Sequence, residues 1–169
     1  MELFFLRHAI AVESGNPRYP DDSKRPLTRK GAGKMRRIAK GMRRMKLEFD
    51  LILSSPYLRA KQTAEITAQV LDAEDKLRFS NHLASDADPK RLVVELRKRA
   101  SRRKHILLVG HEPQMSALIS TLLAGRNDIS LTLKKGGLCK LTIQTIRYGS
   151  CARLEWFLTP HQLVTIART

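Results

Sequence analysis

The sequence predicts an α/β protein of three layers: a mostly parallel sheet with helices on both faces and a closing C-terminal hairpin of strands. Three observations predict it. Short apolar runs, such as Leu3-Phe4-Phe5-Leu6 and Ile106-Leu107-Leu108-Val109, read as strands buried on both faces. These runs alternate with segments of helical periodicity, the order expected of a parallel sheet with crossover helices. The last two runs have no helix between them and read as an antiparallel pair. The 169 residues are expected to form a single domain, 1–169, long enough for a substantial core.

Taken in order, Glu2 to His8 reads as the first strand. Glu13 to Arg25, with Gly15, Pro17, Pro20 and Asp21-Asp22, reads as a loop. Thr28 is placed to cap a helix whose apolar positions, Met35, Ile38, Ala39, Met42 and Met45, recur at helical spacing and read as core. Asp50 to Ser54 is the second strand, and Pro56 to Leu71 the next helix, with Ala60, Ala64, Ile66, Ala68 and Leu71 among its apolar positions. Leu77 to Phe79 is a short strand. Asp88-Pro89 supplies the cap and first position of a helix through Leu92, Val93 and Leu96. His105 to Val109 is a strand, and Glu112-Pro113 opens a helix to about Leu123. Leu138 to Ile146 and Arg153 to Leu158 form the hairpin, turning near Gly149-Ser150.

Composition narrows the setting. No stretch approaches the ~18 apolar residues of a membrane helix. The first apolar run is short, lacks a basic leader and ends in Arg-His, unlike a signal peptide. A cytoplasmic protein with no membrane association is expected. Cys139 and Cys151 are the only cysteines. With the turn near Gly149, Cys139 faces a residue near Thr159, and the two sulfurs lie roughly 25–30 Å apart along the strands. That separation excludes a disulfide and fits a reducing compartment.

The net charge is +16, and its distribution says more than its size. Eleven Lys/Arg and no acid lie between Lys24 and Lys46; eight lie between Lys90 and Lys104 against the single acid Glu95. Two readings remain open: a surface for nucleic acid or an acidic protein, or solvated helix faces. Non-specific retention of nucleic acid follows from the charge alone.

The chemistry concentrates at three strand ends: Arg7-His8 after the first strand, Ser54-Ser55-Pro56-Tyr57-Leu58-Arg59 after the second, and Gly110-His111-Glu112-Pro113 after the strand from His105. Each puts a cation or imidazole at the carboxyl end of a strand, where open α/β sheets keep their ligand crevices. Two of them add a helix N-terminus, whose free N–H groups favour phosphate. Taken singly, each residue has an ordinary structural explanation. Three in equivalent positions point to a phosphate-handling site.

Arg7-His8, Ser54-Ser55-Pro56-x-x-Arg59-Ala60-x-Gln62-Thr63-Ala64 and Gly110-His111 resemble the signature of the histidine phosphatase superfamily, whose fold is phosphoglycerate-mutase-like. Arg25-Pro26-Leu27-Thr28-x-x-Gly31, the Gly110 to Pro113 stretch and the short chain resemble its SixA-type branch of phosphohistidine phosphatases. The likeness runs from about residue 2 to 117, with a weaker match at Leu158-Thr159-Pro160. It implies that His8 is the nucleophile, becoming a phosphohistidine, and that Arg7, Arg59 and His111 bind phosphate. Arginine suits this role because its planar fork binds phosphate oxygens bidentately and keeps its charge. Attack needs a neutral imidazole, and flanking cations depress its pKa. The implied chemistry needs no metal and no cofactor. The implied partner is a phosphorylated protein of histidine-phosphotransfer type, in signal transduction, with phosphate ion as product.

Two departures stand out. Many members carry a glutamate just after the third strand region as general acid. Here the stretch is Asn81 to Pro89, with His82 at that position and Asp86 as second candidate; Asp88 reads as a helix cap. An imidazole leaving group needs less acid assistance than an alkoxide, so the loss weighs more against an ester substrate. The usual glycine after the catalytic histidine is Ala9, a change this branch tolerates. His105 and His161 match no motif position, and Ser14 and Asn16 read as turn formers. Two competing readings stand beside the phosphohistidine phosphatase. One is a general phosphomonoesterase or mutase-like enzyme sharing the His8 intermediate. The other is a non-catalytic polyanion-binding module.

Overall fold

A computed structural model of the chain describes residues 1–99 and 103–168. Six strands form one sheet: β1 (Glu2–Arg7), β2 (Leu51–Ser54), β3 (Leu77–Phe79), β4 (His105–Gly110), β5 (Leu138–Ile143) and β6 (Ala152–Leu158). The helices are α1 (Arg29–Arg44), α2 (Leu58–Val70), α3 (Pro89–Arg99), α4 (Gln114–Ala124) and α5 (Pro160–Ile166). The sheet order is β3-β2-β4-β1-β5-β6. β3, β2, β4 and β1 run parallel, while β5 is antiparallel to both β1 and β6. The mostly parallel sheet and its hairpin are as expected.

The apolar strands serve two cores at once, because successive side chains point to opposite faces. Leu3, Phe5, Leu51, Leu53, Ile106 and Leu108 meet Leu92 and Leu96 of α3 and Met115, Leu118 and Leu122 of α4. Phe4, Leu6, Ile52, Leu107 and Val109 meet Met35, Ile38 and Met42 of α1, Ala60 and Ala64 of α2, and Leu163 of α5. β1 is therefore followed by a helix on one face and its neighbour β4 by a helix on the other. Their carboxyl ends flank a topological switch point, where the diverging chain leaves a crevice.

The capping signals act as read. Thr28 Oγ1 accepts the Gly31 N–H at 2.9 Å, and Asp88 Oδ1 accepts the Lys90 N–H at 2.9 Å. α2 begins at Leu58 rather than Pro56, because Ser55 Oγ first accepts the Tyr57 N–H at 3.2 Å in a local turn.

The hairpin departs from expectation. β5 ends at Ile143, not Ile146, and Cys139 pairs with Phe157, not with a residue near Thr159. The anchoring of residues 144–151 on the end of α4 sets the turn and hence the offset, Cys151 N–H donating to Leu122 O at 2.8 Å, and the register shift at Lys140/Leu141 reduces it by one residue. Both cysteines are free thiols, and burial pushes Cys139 up to about 12. α5 was not expected. Its signal was present in Thr159-Pro160-His161-Gln162, which folds as a capping box with proline in the first turn. Among the described residues no helix is long and apolar enough to cross a membrane.

Candidate active site

The carboxyl ends of β2, β4 and β1 lie side by side and are stitched together by backbone bonds. His8 N–H donates to Gly110 O at 3.0 Å, and Ser55 N–H donates to Val109 O at 2.9 Å. This register brings three of the predicted motifs into one crevice. The His8 and His111 rings stand 5.1 Å apart, and the Tyr57 ring lies 5.2 Å from His111. The Arg59 guanidinium sits 5.4 Å from the Tyr57 ring centre. His8, Arg59 and His111 are buried.

The two nitrogens of His8 are differentiated. Nδ1 lies 2.8 Å from Ala9 O. A carbonyl oxygen only accepts, so Nδ1 carries the proton and Nε2 keeps a free lone pair. Burial, with the charges of Arg59, Arg7 and Lys135, outweighs the Ala9 bond and lowers the His8 pKa to about 3. The ring is therefore neutral at pH 7. Thr63 holds this segment in place: its Oγ1 accepts the Ala9 N–H at 3.0 Å and donates to Arg59 O at 2.6 Å. One hydroxyl thus ties the chain beside His8 to the helix that carries Arg59. Ala9 is not among the positive-φ residues, so glycine is not required there.

Around His8 stand two arginines and a histidine that each keep one buried nitrogen without a partner among the described residues. Arg7 Nη1 donates to Leu133 O at 3.0 Å, but its Nε is buried and unpartnered. Arg59 Nη1 donates to Asp22 O at 2.7 Å, and its Nε is likewise unpartnered. His111 Nε2 lies 2.8 Å from Ser55 Oγ, while its Nδ1 is buried and unpartnered. With Ser55 Oγ accepting from Tyr57 N–H, its hydroxyl proton is free for His111 Nε2. That assignment leaves an N–H on His111 Nδ1. Burial, then the charges of His8 and Arg59, lowers the His111 pKa to about 3. Burial also lowers both arginines, with Glu112 opposing it at Arg7 and Asp22 at Arg59. Buried donors left unpaired are costly; a phosphate group supplies the acceptors that these lack.

The sequence reading missed two neighbours of the site. Asp22, within what read as loop, has Oδ2 2.9 Å from Arg59 Nη2 and Oδ1 2.7 Å from both Arg25 Nε and Nη2. Burial pushes this carboxyl up, but its bonds to Arg25 and the charges of Arg59 and Arg25 hold it below the usual range. Lys135 bears on His8 because Gly136 and Gly137 bind the Arg7 backbone: Gly136 N–H donates to Arg7 O at 3.0 Å, and Arg7 N–H donates to Gly137 O at 3.3 Å. The Lys134-Lys135-Gly136-Gly137 turn before β5 was the only available signal. The two proton-donor candidates, His82 and Asp86, line one cavity with Tyr57 and Arg91. Asp86 accepts a long bond from Tyr57 O–H at 3.4 Å, which brings it to the rim of the crevice. His82 touches none of His8, Arg7, Arg59 or His111 among the described contacts; its carbonyl accepts from Gln114 Nε2 at 3.1 Å. Asn16 forms a turn, its Oδ1 accepting Arg18 N–H at 3.0 Å, and Ser14 donates to Asp22 at 3.3 Å.

Comparison with known proteins gives the same grouping. Residues 3–83 match the profile of the Histidine phosphatase superfamily (branch 1). An uncharacterized protein of Picosynechococcus sp. (strain PCC 7002) is 33% identical over 158 residues, covering 94% of each chain. The phosphohistidine phosphatase SixA of Escherichia coli (strain K12) is 25% identical over 164 residues, covering 96% of each. A solved structure of the protein histidine phosphatase SixA complexed with tungstate superposes with a TM-score of 0.82 at 25% identity, covering 96% of this chain and 99% of that one. The fold is shared more widely. The alpha-ribazole phosphatase of Shigella flexneri, 17% identical, superposes with a TM-score of 0.67 over 95% of this chain and 97% of its own. The strand-end motifs, the six-stranded sheet and these likenesses agree: the chain belongs to the histidine phosphatase superfamily and has a SixA-type fold.

Proposed function

We propose that this chain removes phosphate from the phosphohistidine of a partner protein of histidine-phosphotransfer type, through a phosphoenzyme on His8. One observation carries the reading. The His8 Nε2 lone pair is free in a neutral ring, the charges of Arg59 and Arg7 act on that ring, the His111 ring stands 5.1 Å from it, and Arg7 Nε, Arg59 Nε and His111 Nδ1 are buried and unpaired. The Nε2 lone pair forms a new bond to phosphorus as the bond to the leaving imidazole nitrogen breaks. That nitrogen keeps the electron pair and takes up a proton. Arg7, Arg59 and His111 bind the phosphoryl oxygens as their charge redistributes. Water then cleaves the His8 phosphoramidate, giving phosphate and free enzyme.

The protein substrate is supported by the 25% identity to the phosphohistidine phosphatase SixA and by the leaving group. No glutamate stands at the position of His82, and an imidazole asks little of an acid. Asp86 at the rim, held by Tyr57, favours a second reading in which it protonates an ester oxygen, with His82 as the alternative donor. Rapid-quench labelling separates these. A phosphohistidine peptide should leave an acid-labile, alkali-stable label on the protein that disappears in His8→Ala. A protein that spares phosphohistidine and hydrolyses sugar phosphates efficiently overturns the first reading. Binding of polyanions with no phosphoenzyme on any substrate leaves only the binding module.

A further inference from the structure

α1 carries eight Lys/Arg in sixteen residues and no acid. Lys30 and Lys34, Arg36 and Lys40, and Lys40 and Arg44 are i,i+4 pairs of like charge, which destabilise a helix. None of the eight is in an ion pair among the described residues. Two of them, Arg29 and Arg36, form one wall of a groove of about 540 Å³ between α1 and α2. The half-buried Leu27, Ala32 and Ile66 give it an apolar lining. Two of its lining residues connect it to the crevice. Gln62, on the groove wall, precedes Thr63 in α2, and its Oε1 accepts the Leu27 N–H at 2.7 Å. Leu27 in turn lies two residues beyond Arg25, which shares Asp22 with Arg59.

We infer that this groove seats an acidic, partly apolar segment of the phosphoprotein substrate, an inference that rests on the function proposed above. Carboxylates of the segment face Arg29 and Arg36, and an apolar side chain lies between Ala32 and Ile66. The opposite wall decides between partners. It carries Glu65, paired with Lys61 at 3.8 Å, and Glu74, so among the described residues the unpaired cations Arg29 and Arg36 outnumber the one unpaired acid; Glu74 still opposes a continuous phosphodiester backbone, and the described lining has no aromatic ring on which a base stacks. A peptide meets both walls by presenting different side chains to each. From Gln62 to Gln69 the wall runs ~10 Å at the helical rise, the reach of about three extended residues.

The test uses the whole protein and two synthetic peptides with the same phosphohistidine. One is flanked by leucine and glutamates, the other by glutamine and lysines. Wild type should favour the acidic peptide about tenfold in kcat/KM at low salt, through KM. Arg29→Glu/Arg36→Glu should reduce that preference to below about threefold while p-nitrophenyl phosphate turnover stays unchanged. Arg36→Glu relieves a like-charge pair with Lys40 and Arg29→Glu puts an acid in the first turn of α1, both on exposed positions, and an unaltered aryl phosphate rate verifies folding. An undiminished preference in the variant overturns the groove assignment. So does loss of RNA retention with peptide preference intact, which would make the face a nucleic-acid surface. If wild type spares both peptides yet forms the His8 label from an aryl phosphate, the phosphohistidine reading itself falls and takes the groove assignment with it.

Discussion

His8 puts its two ring nitrogens to different uses, and the residues that enforce this are themselves testable. Ala9 O takes the Nδ1 proton, so any shift of the Ala9 peptide disturbs the tautomer that frees Nε2. Thr63 Oγ1 holds that peptide through the Ala9 N–H. Thr63→Val keeps the shape and leaves a buried N–H without an acceptor, which costs about 1–3 kcal/mol. Thermal denaturation should show the loss, kcat should fall with it, and Thr63→Ser should restore both. Asp22 acts in the opposite sense. Its carboxylate lies on Arg59, which the proposed function assigns to the phosphate. Asp22→Asn removes a like charge worth about 1 kcal/mol near a solvated rim. Inhibition by inorganic phosphate should then tighten severalfold. Weaker inhibition would show that Asp22 serves chiefly to anchor Arg59.

At the level of elements, α1 packs closely on α5, and its glycines have unequal roles. A Cβ on Gly41 would lie 2.1 Å from Leu163 O, so α1 and α5 pack backbone to backbone there. At Gly33 a Cβ would meet nothing within 4 Å. Gly33→Ala should therefore raise stability by ~0.5–1 kcal/mol through the lower backbone entropy of alanine. Gly41→Ala gains the same propensity but must push two helices apart, and should lower stability by about 1–3 kcal/mol. Denaturant midpoints of the two variants, measured side by side, check both signs. The same contact explains why α5 belongs to the fold: Leu163, held by the Thr159 capping box, completes the core that α1 and α2 share.

For the whole molecule, the site makes stability depend on pH. His8 and His111 both have pKa values near 3 in the folded protein, against ~6.5 in an unfolded chain. Between those values the unfolded chain binds more protons, so folding stability falls as pH falls. Their contribution is fully present above about pH 6.5 and is progressively lost toward about pH 3. The melting temperature should drop as the pH falls through that window. Replacing both histidines with asparagine should flatten the curve; an unchanged slope would assign the acid sensitivity to other groups. The wider charge of +16 adds repulsion that salt screens, so the comparison is best made at one ionic strength.

Local pattern by itself determined the six strands, helices α1 to α4 and the placement of His8, Arg7, Arg59 and His111 at or just beyond strand ends. Each depends on short-range rules: runs buried on two faces, caps, and motifs whose spacing is set by one strand and one helix turn. Thr28 and Asp88 were legible as caps because the bonds they make span only two or three residues. The roles of Asp22 and Lys135 were not legible, because Asp22 meets Arg59, 37 residues along the chain, and Lys135 nears His8 only through the backbone bonds of Gly136 and Gly137 to Arg7. Nor does sequence distinguish Gly33 from Gly41, since the difference is a carbonyl contributed by Leu163. The sheet order, with β4 between β2 and β1, decided that the strand ends meet at all. It also left their polar atoms buried and unpaired, and burial, a property of the assembled structure, is the largest cause of the lowered pKa of His8.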